Sequence, residues 1–344
     1  MEAGWQHAAA DGAATLASTA AGAMRAIVQD GYGSTDVLRL ARIAPPEIAG
    51  GEVLVRVHAA GLDRGTWHVM TGRPYLLRLV AGVRAPRQPV AGLDVAGTVV
   101  AVGPGVTRFR VGDEVFGFGR GTFAEYTAAR EDKLARMPAG LTFEQAAVVP
   151  VSAVTALNAL TVAGHVRPGQ KVLVTGASGG VGSYAVQLAR ALGAEVTGVC
   201  STAKTGLVRS LGAAHVIDYA QDDFADGARR YDLIVDIAGN PALSRLRRAL
   251  TPAGTAVLTG GEDGGNVTGM GRQFRALALS PFLHQRLTML IPRQRASDLE
   301  RVTEFLEAGT VTPSIGATYP LDQVQQAMRQ LAAGQARGKV AITI

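Results

Sequence analysis

One run, Val172-Leu-Val-Thr-Gly-Ala-Ser-Gly-Gly-Val-Gly182, narrows what this chain can fold into more than any other. Residues 171–175 are short and apolar, as a buried strand would be. Gly176, Ser178, Gly179, Gly180, Val181 and Gly182 then form a loop, and residues 181–192 carry the spacing of a helix that ends at Gly193. Glycines at such a junction let backbone approach a pyrophosphate and let the helix pack closely on the strand. The helix N-terminus adds unpaired N–H groups and the positive end of its dipole. A glycine-rich structural turn is the alternative, but the strand–loop–helix context favours a nucleotide site.

Strands alternate with helices after the loop. Strands are expected at 195–200, 215–218, 233–236 and 255–259, and a helix at 241–250. That grammar predicts an α/β domain built on a doubly wound parallel sheet. Residues 262–285 read as irregular, 286–291 as an edge strand, 297–306 and 321–332 as amphipathic helices, and 339–344 as a closing strand. Before the loop the pattern differs. Short runs at 26–29, 53–58, 97–102 and 111–118, separated by Gly/Pro turns, predict a β-rich, barrel-like domain. Thr142 reads as the N-cap of a helix over 143–149, and 152–163 as a second helix.

Composition removes several function classes. With 344 residues, 47% hydrophobic and 18% charged, the chain has apolar material for about two domains and does not read as disordered. No apolar run approaches the ~20 residues of a membrane span. The single Cys200 excludes an internal disulfide and a four-cysteine zinc site, which points to a reduced, cytoplasmic protein. The net charge is +6, and arginines gather at Arg245, Arg247, Arg248 and at Arg272, Arg275, Arg286, Arg293, Arg295. Such clusters can bind polyanions. Aromatic residues are 5% of the chain, so stacking platforms are scarce and nucleic acid is not expected as a partner. Residues 1–23 hold no Lys or Arg, so they lack the signature of a secretory signal or a transit peptide. They read as a disordered tail, or as an upstream extension of a protein that starts at Met24.

The second expected strand chooses the cofactor. NAD sites place a carboxylate at its tip for the ribose 2′-hydroxyl. Here the tip reads Val199-Cys-Ser-Thr-Ala-Lys204, so Ser201, Thr202 and Lys204 offer hydroxyls and a cation to a 2′-phosphate, and NADPH is expected.

The order of parts, together with Ala60-Gly-Leu-Asp-Arg-Gly-Thr-Trp-His-Val-Met-Thr-Gly72, Gly92-Leu-Asp-Val-Ala-Gly-Thr-Val-Val100, Val111-Gly-Asp-Glu-Val-Phe-Gly117 and the ending Gly338-Lys-Val-Ala-Ile342, resembles the medium-chain dehydrogenase/reductase superfamily. Within it the chain is similar to the zinc-free quinone oxidoreductase and enoyl reductase branch, over residues 24–344. The resemblance implies a GroES-like catalytic domain at 24–152 and 293–344 and a Rossmann NADP-binding domain at 153–292. It also implies a homodimer paired through the 286–291 edge, a small-molecule substrate and no metal. The zinc branch carries a cysteine after the early Ala-Gly and a histidine in Gly-His-Glu; Leu62 or Asp63, and Leu93-Asp94, stand there instead.

At the family's Gly-Val-Asn-Pro, Asp63 and Arg64 replace the last two residues, and His68 stands where tyrosine is common. Asp63, His68 and Tyr75 are therefore the catalytic candidates, and Trp67 a substrate-pocket residue. Asp63 also reads as a turn cap, His68 as cofactor packing and Tyr75 as a loop aromatic. Thr155, Tyr219, Asn240, Gly260 and Gly261 match family positions that contact the cofactor. Residues 76–89 replace a shorter family loop and are expected to shape the substrate mouth. Thr175-Gly-Ala-Ser-Gly-Gly-Val-Gly182 also fits the short-chain dehydrogenase pattern, but no tyrosine here has Lys at +4. The resemblance implies hydride transfer from NADPH to a quinone or an α,β-unsaturated carbonyl. Two other readings are a tailoring reductase with a specialised substrate and a non-catalytic, RNA-associated homologue that keeps the cofactor.

Overall fold

The computed structural model describes residues 22–260, 269–291 and 293–344. Strand β1 (Met24–Val28) pairs antiparallel with β2 (Arg39–Ile43). Then come β3 (Glu52–Leu62), helices α1 (Arg64–Thr71) and α2 (Arg78–Ala81), β4 (Asp94–Val102), β5 (Glu114–Phe118), β6 (Tyr126–Arg130) and β7 (Leu134–Arg136). Alternate residues Val53, Val55 and Val57 of β3 turn inward onto Val95, Val99, Val115 and Phe109. This is the period-two burial of a sheet with one packed face.

Helix α3 (Phe143–Ala147) opens on a capping box, with Thr142 Oγ1 and Gln145 bonded reciprocally. Helix α4 (Pro150–Asn158) runs into a π-turn over Ala159–Ala163, so it spans the expected domain junction at 152/153. The parallel domain follows: β8 (Lys171–Thr175), α5 (Gly180–Ala191), β9 (Glu195–Cys200), α6 (Thr205–Ser210), β10 (His215–Asp218), β11 (Tyr231–Asp236), α7 (Leu243–Ala249), β12 (Leu250–Leu258), α8 (Gly271–Leu279) and β13 (Arg286–Met289). Its sheet has the order β10-β9-β8-β11-β12-β13, parallel throughout. Helices α4 and α5 meet through Ala153, Ala156, Ala185 and Ala189, all buried, and these small side chains let the backbones come close.

The chain then returns. Helix α9 (Ala296–Glu307), β14 (Ile315–Pro320), α10 (Val324–Ala332) and β15 (Lys339–Thr343) complete the first domain, whose sheet runs β14-β15-β3-β4-β5-β7 with β6 on β3. The α/β class and the pairing of a GroES-like domain with a doubly wound parallel sheet are as the sequence implies. No helix among the described residues is long and apolar enough to cross a membrane.

Several expectations shift locally. Residues 262–285, read as irregular, contain α8 over their described part. Its N-cap, Met270, makes no side-chain capping bond, so no start signal marked it. The expected helix 241–250 is shorter, and β12 begins at Leu250. The expected tail lies outside the described residues except for 22 and 23, as does Gly261. Four of the eight clustered arginines have partners within the protein: Arg245 pairs with Asp223, Arg272 with Asp236, Arg247 bonds Gln285, and Arg286 donates to the Ala163 carbonyl.

Candidate functional site

The two domains meet at the glycine loop. Gly176 follows β8 with φ +63°, in the left-handed region that favours glycine, and Ala238 closes on its open side. At Gly182 a Cβ would lie 2.1 Å from the Gly176 carbonyl oxygen, so helix and strand approach only because no side chain is there. The N-cap of α5 is Gly179, and no side chain caps this end. Its first N–H groups therefore have no intrahelical or side-chain partner and face the loop. Ser178 is buried, and its carbonyl accepts from Gly338 N at 2.9 Å, which ties the loop to the returning strand of the other domain.

Asp236, at the end of β11, braces the loop's other side. It accepts from Thr175 Oγ1 at 3.0 Å and pairs with Arg272, while Thr175 Oγ1 accepts from Ile237 N at 2.8 Å. Burial raises the Asp236 carboxyl above its usual range; Arg272 works against that. Asn240 lies just past this strand with φ +40°. The Gly260 carbonyl accepts from Gln273 Nε2 at 2.8 Å. On the helix side, Thr155 Oγ1 is turned onto the Val151 carbonyl at 2.6 Å.

At the tip of β9, Ser201 precedes the 3-10 turn Thr202–Lys204. Thr202 Oγ1 donates to Asp218, a carboxylate at the end of the next strand. Lys204 Nζ donates to the Gly334 and Ala336 carbonyls at 3.0 and 2.8 Å, which leaves one of its three N–H donors. Burial lowers the Lys204 pKa, and nearby Arg337 lowers it further. Tyr219 is 66% exposed beside this tip, with its backbone N–H on the Cys200 carbonyl.

The catalytic candidates follow β3. Asp63 is the N-cap of α1, its Oδ1 accepting from Thr66 N at 2.8 Å. Its Oδ2 is buried and has no hydrogen-bond partner. His68 places Nδ1 on the Arg73 carbonyl at 2.8 Å, which fixes the proton of the neutral ring on Nδ1. Trp67 lies edge-on to His68 with centroids 5.1 Å apart. Tyr75 is 43% exposed and lies under the Arg78 guanidinium.

Sequence reasoning missed the charged centre beneath this turn. Lys339 of β15 is buried, donates from Nζ to the Leu62 carbonyl at 3.2 Å, and lies 3.9 Å from Asp94 Oδ2. Its Cδ lies 3.1 Å from where a Cβ on Gly180 would stand, so the lysine underlies the glycine loop itself. Burial, and then the neighbouring Asp63, push the Asp94 carboxyl well above the usual carboxylate range; Lys339 and the Val151 N–H oppose this. Both Asp94 and Lys339 lay inside quoted family motifs, but only the register of β15 on β3 reveals that they meet.

Fold and site together define a two-domain oxidoreductase of the kind that uses a pyridine nucleotide. The alcohol dehydrogenase GroES-like domain family matches residues 49–139, and the zinc-binding dehydrogenase family matches 211–342. The chain is 32% identical to the 2-methylene-furan-3-one reductase of Solanum lycopersicum, covering 93% of this chain and 79% of that one. It is also 32% identical to a chloroplastic quinone-oxidoreductase homologue of Spinacia oleracea, over 94% and 99%. The solved quinone oxidoreductase of Coxiella burnetii superposes with a TM-score of 0.83 at 26% identity, covering 94% of this chain and 99% of that one. The chain belongs to the medium-chain dehydrogenase/reductase superfamily, in its quinone oxidoreductase branch.

The second matching family takes its name from zinc. Among the described residues no three His, Cys, Asp or Glu side chains converge as a metal site would need. Asp94, at the place of a zinc-branch ligand motif, faces a lysine instead.

Proposed function

We propose that the protein is an NADPH-dependent, metal-independent reductase of a quinone or of an α,β-unsaturated carbonyl. The observation that carries this reading is the pairing of an uncapped α5 N-terminus with a β9 tip that offers Lys204 and Ser201 and no carboxylate of its own. When bound, the nicotinamide supplies hydride. The chain's own residues do the rest. The α5 N–H groups and dipole hold the pyrophosphate, and the third Lys204 N–H, with Arg337 nearby, meets the 2′-phosphate. Hydride arriving at a β-carbon leaves an enolate that needs one proton at carbon. His68, oriented by the Arg73 carbonyl, is the residue to deliver it from Nε2 in its protonated form. Asp63 holds α1, and so His68 and Trp67, in place through its cap. Asp63 and His68 in place of the family's usual residues favour a specialised substrate within this class. We further take the working unit to be a cytoplasmic homodimer joined at β13, which among the described residues has a sheet neighbour on one side only.

Lys204→Ala is expected to weaken NADPH binding about tenfold to a hundredfold and to leave NADH binding within about threefold, since one charge-assisted phosphate contact contributes about 1.5–3 kcal/mol. Fluorescence titration with both nucleotides checks this. Equal losses for both, or no loss for either, would remove the 2′-phosphate assignment.

A further inference from the structure

The loop that follows α1 carries an unusual surface. Between Asp63 and Asp94 the chain holds five arginines and no acid. Arg73, Arg84 and Arg87 are exposed and, among the described residues, have no carboxylate partner. Beside them Leu79, Val80 and Val83 stand 63%, 75% and 66% exposed, from α2 and the turn after it. Such apolar side chains, next to one another on a solvent face, mark an interaction site.

The segment is held in this shape from within. Tyr32 Oη donates to the Gly82 carbonyl, Arg87 N donates to Ala81 O at 2.7 Å, and Arg78 Nε bonds Gly72 O at 3.0 Å while its guanidinium lies over Tyr32 and Tyr75. The fold thus spends its polar contacts on presenting the three aliphatic tips outward. Pro74 at its start lies against Gly269 of the other domain, so the surface adjoins the junction of the two domains.

We propose that this face, residues 73–87, docks the protein on an anionic lipid bilayer. A protein partner would cover the aliphatic tips equally well, but it would not by itself ask for three arginines that have no carboxylate partner among the described residues, nor for a stretch of thirty residues without an acid between the two aspartates. An anionic lipid surface asks for both: aliphatic tips that enter the headgroup boundary and cations that meet the phosphates. Docking there sets this edge of the domain junction towards lipid-soluble material. That consequence rests on the reductase reading; the docking itself does not.

The test is co-sedimentation of the full chain with vesicles of phosphatidylcholine alone, or with about one third phosphatidylglycerol. Binding is expected to the anionic vesicles, at least about tenfold weaker to the neutral ones, and lost at high salt. Arg84→Gln/Arg87→Gln is expected to weaken binding about 25-fold, at roughly fivefold per arginine. Leu79→Asp/Val80→Asp is expected to abolish it, and because both positions are exposed, NADPH binding and unfolding midpoint should be those of the parent. Equal binding to both vesicle types overturns the proposal, as does full retention by both variants. So does salt-sensitive binding to RNA with none to vesicles, or a self-association that Leu79→Asp/Val80→Asp dissolves while the parent ignores lipid.

Discussion

Replacing Lys339 by Met is expected to lower the unfolding free energy by about 3–5 kcal/mol at pH 8, because it strands buried carboxylates without a counter-charge. Lys339 is the cation against Asp94, and both side chains are essentially inaccessible to water. Asp94 also feels Asp63, which raises its pKa further. Methionine keeps most of the lysine's apolar stem, so the deficit reports charge rather than volume. Its pH dependence has a definite sign. A carboxyl whose folded pKa is raised binds protons more readily folded than unfolded, so acidification favours the folded state until the unfolded value is passed. Lys339→Met raises that folded pKa further. The gap between variant and parent should therefore be widest above neutral pH and should shrink as pH falls towards the ordinary aspartate value of about 4. Urea unfolding of both proteins at pH 8 and pH 5 measures this. Adding Asp94→Asn to the variant should recover much of the loss. A gap independent of pH and untouched by the second substitution would mean that the lysine acts through its packing.

Gly182→Ala should be nearly as damaging, and more local. The new Cβ would stand 2.1 Å from the Gly176 carbonyl oxygen and 2.8 Å from Ala177 Cα, both backbone atoms that no rotamer change can move. Helix α5 must back away from β8, at a cost of about 1–3 kcal/mol for an overpacked core contact. The same displacement carries the helix N–H groups away from the pyrophosphate, so nucleotide affinity should fall at least about a hundredfold. Gly179→Ala is the internal comparison. Its Cβ would meet only the Gly176 oxygen, at 3.3 Å, with φ in the ordinary range, and stability should stay within about 1 kcal/mol of the parent. Thermal unfolding and nucleotide titration on the pair separate close packing from a general intolerance of side chains in the loop. Equal behaviour of the two variants would contradict the packing argument.

These predictions divide along what a sequence can display. The loop at 176–182 was legible because strand, glycines and helix are contiguous and their chemistry is local. The short strands β6, β7 and β14 were not, since five, three and six residues carry too few alternations to stand out from their turns. Helix α1 was hidden for a related reason: its first residues are polar or glycine, and its cap, Asp63, also read as a turn.

The candidate site shows the same division. The sequence alone determined the α/β grammar, the glycine loop between strand and helix, the absence of a carboxylate at the β9 tip, and the substitutions Asp63 and His68, each a matter of neighbouring residues. Only the tertiary structure decided that Lys339 would lie under Gly180 and against Asp94, that Lys204 would be held by the Gly334 and Ala336 carbonyls, and that Tyr75 would stack under Arg78. Lys339 bonds a carbonyl 277 residues away, and Lys204 one 132 residues away. Such pairs are created when β15 returns across the molecule to pair with β3. Their charges are forced together by the burial of apolar neighbours, and no local pattern records that.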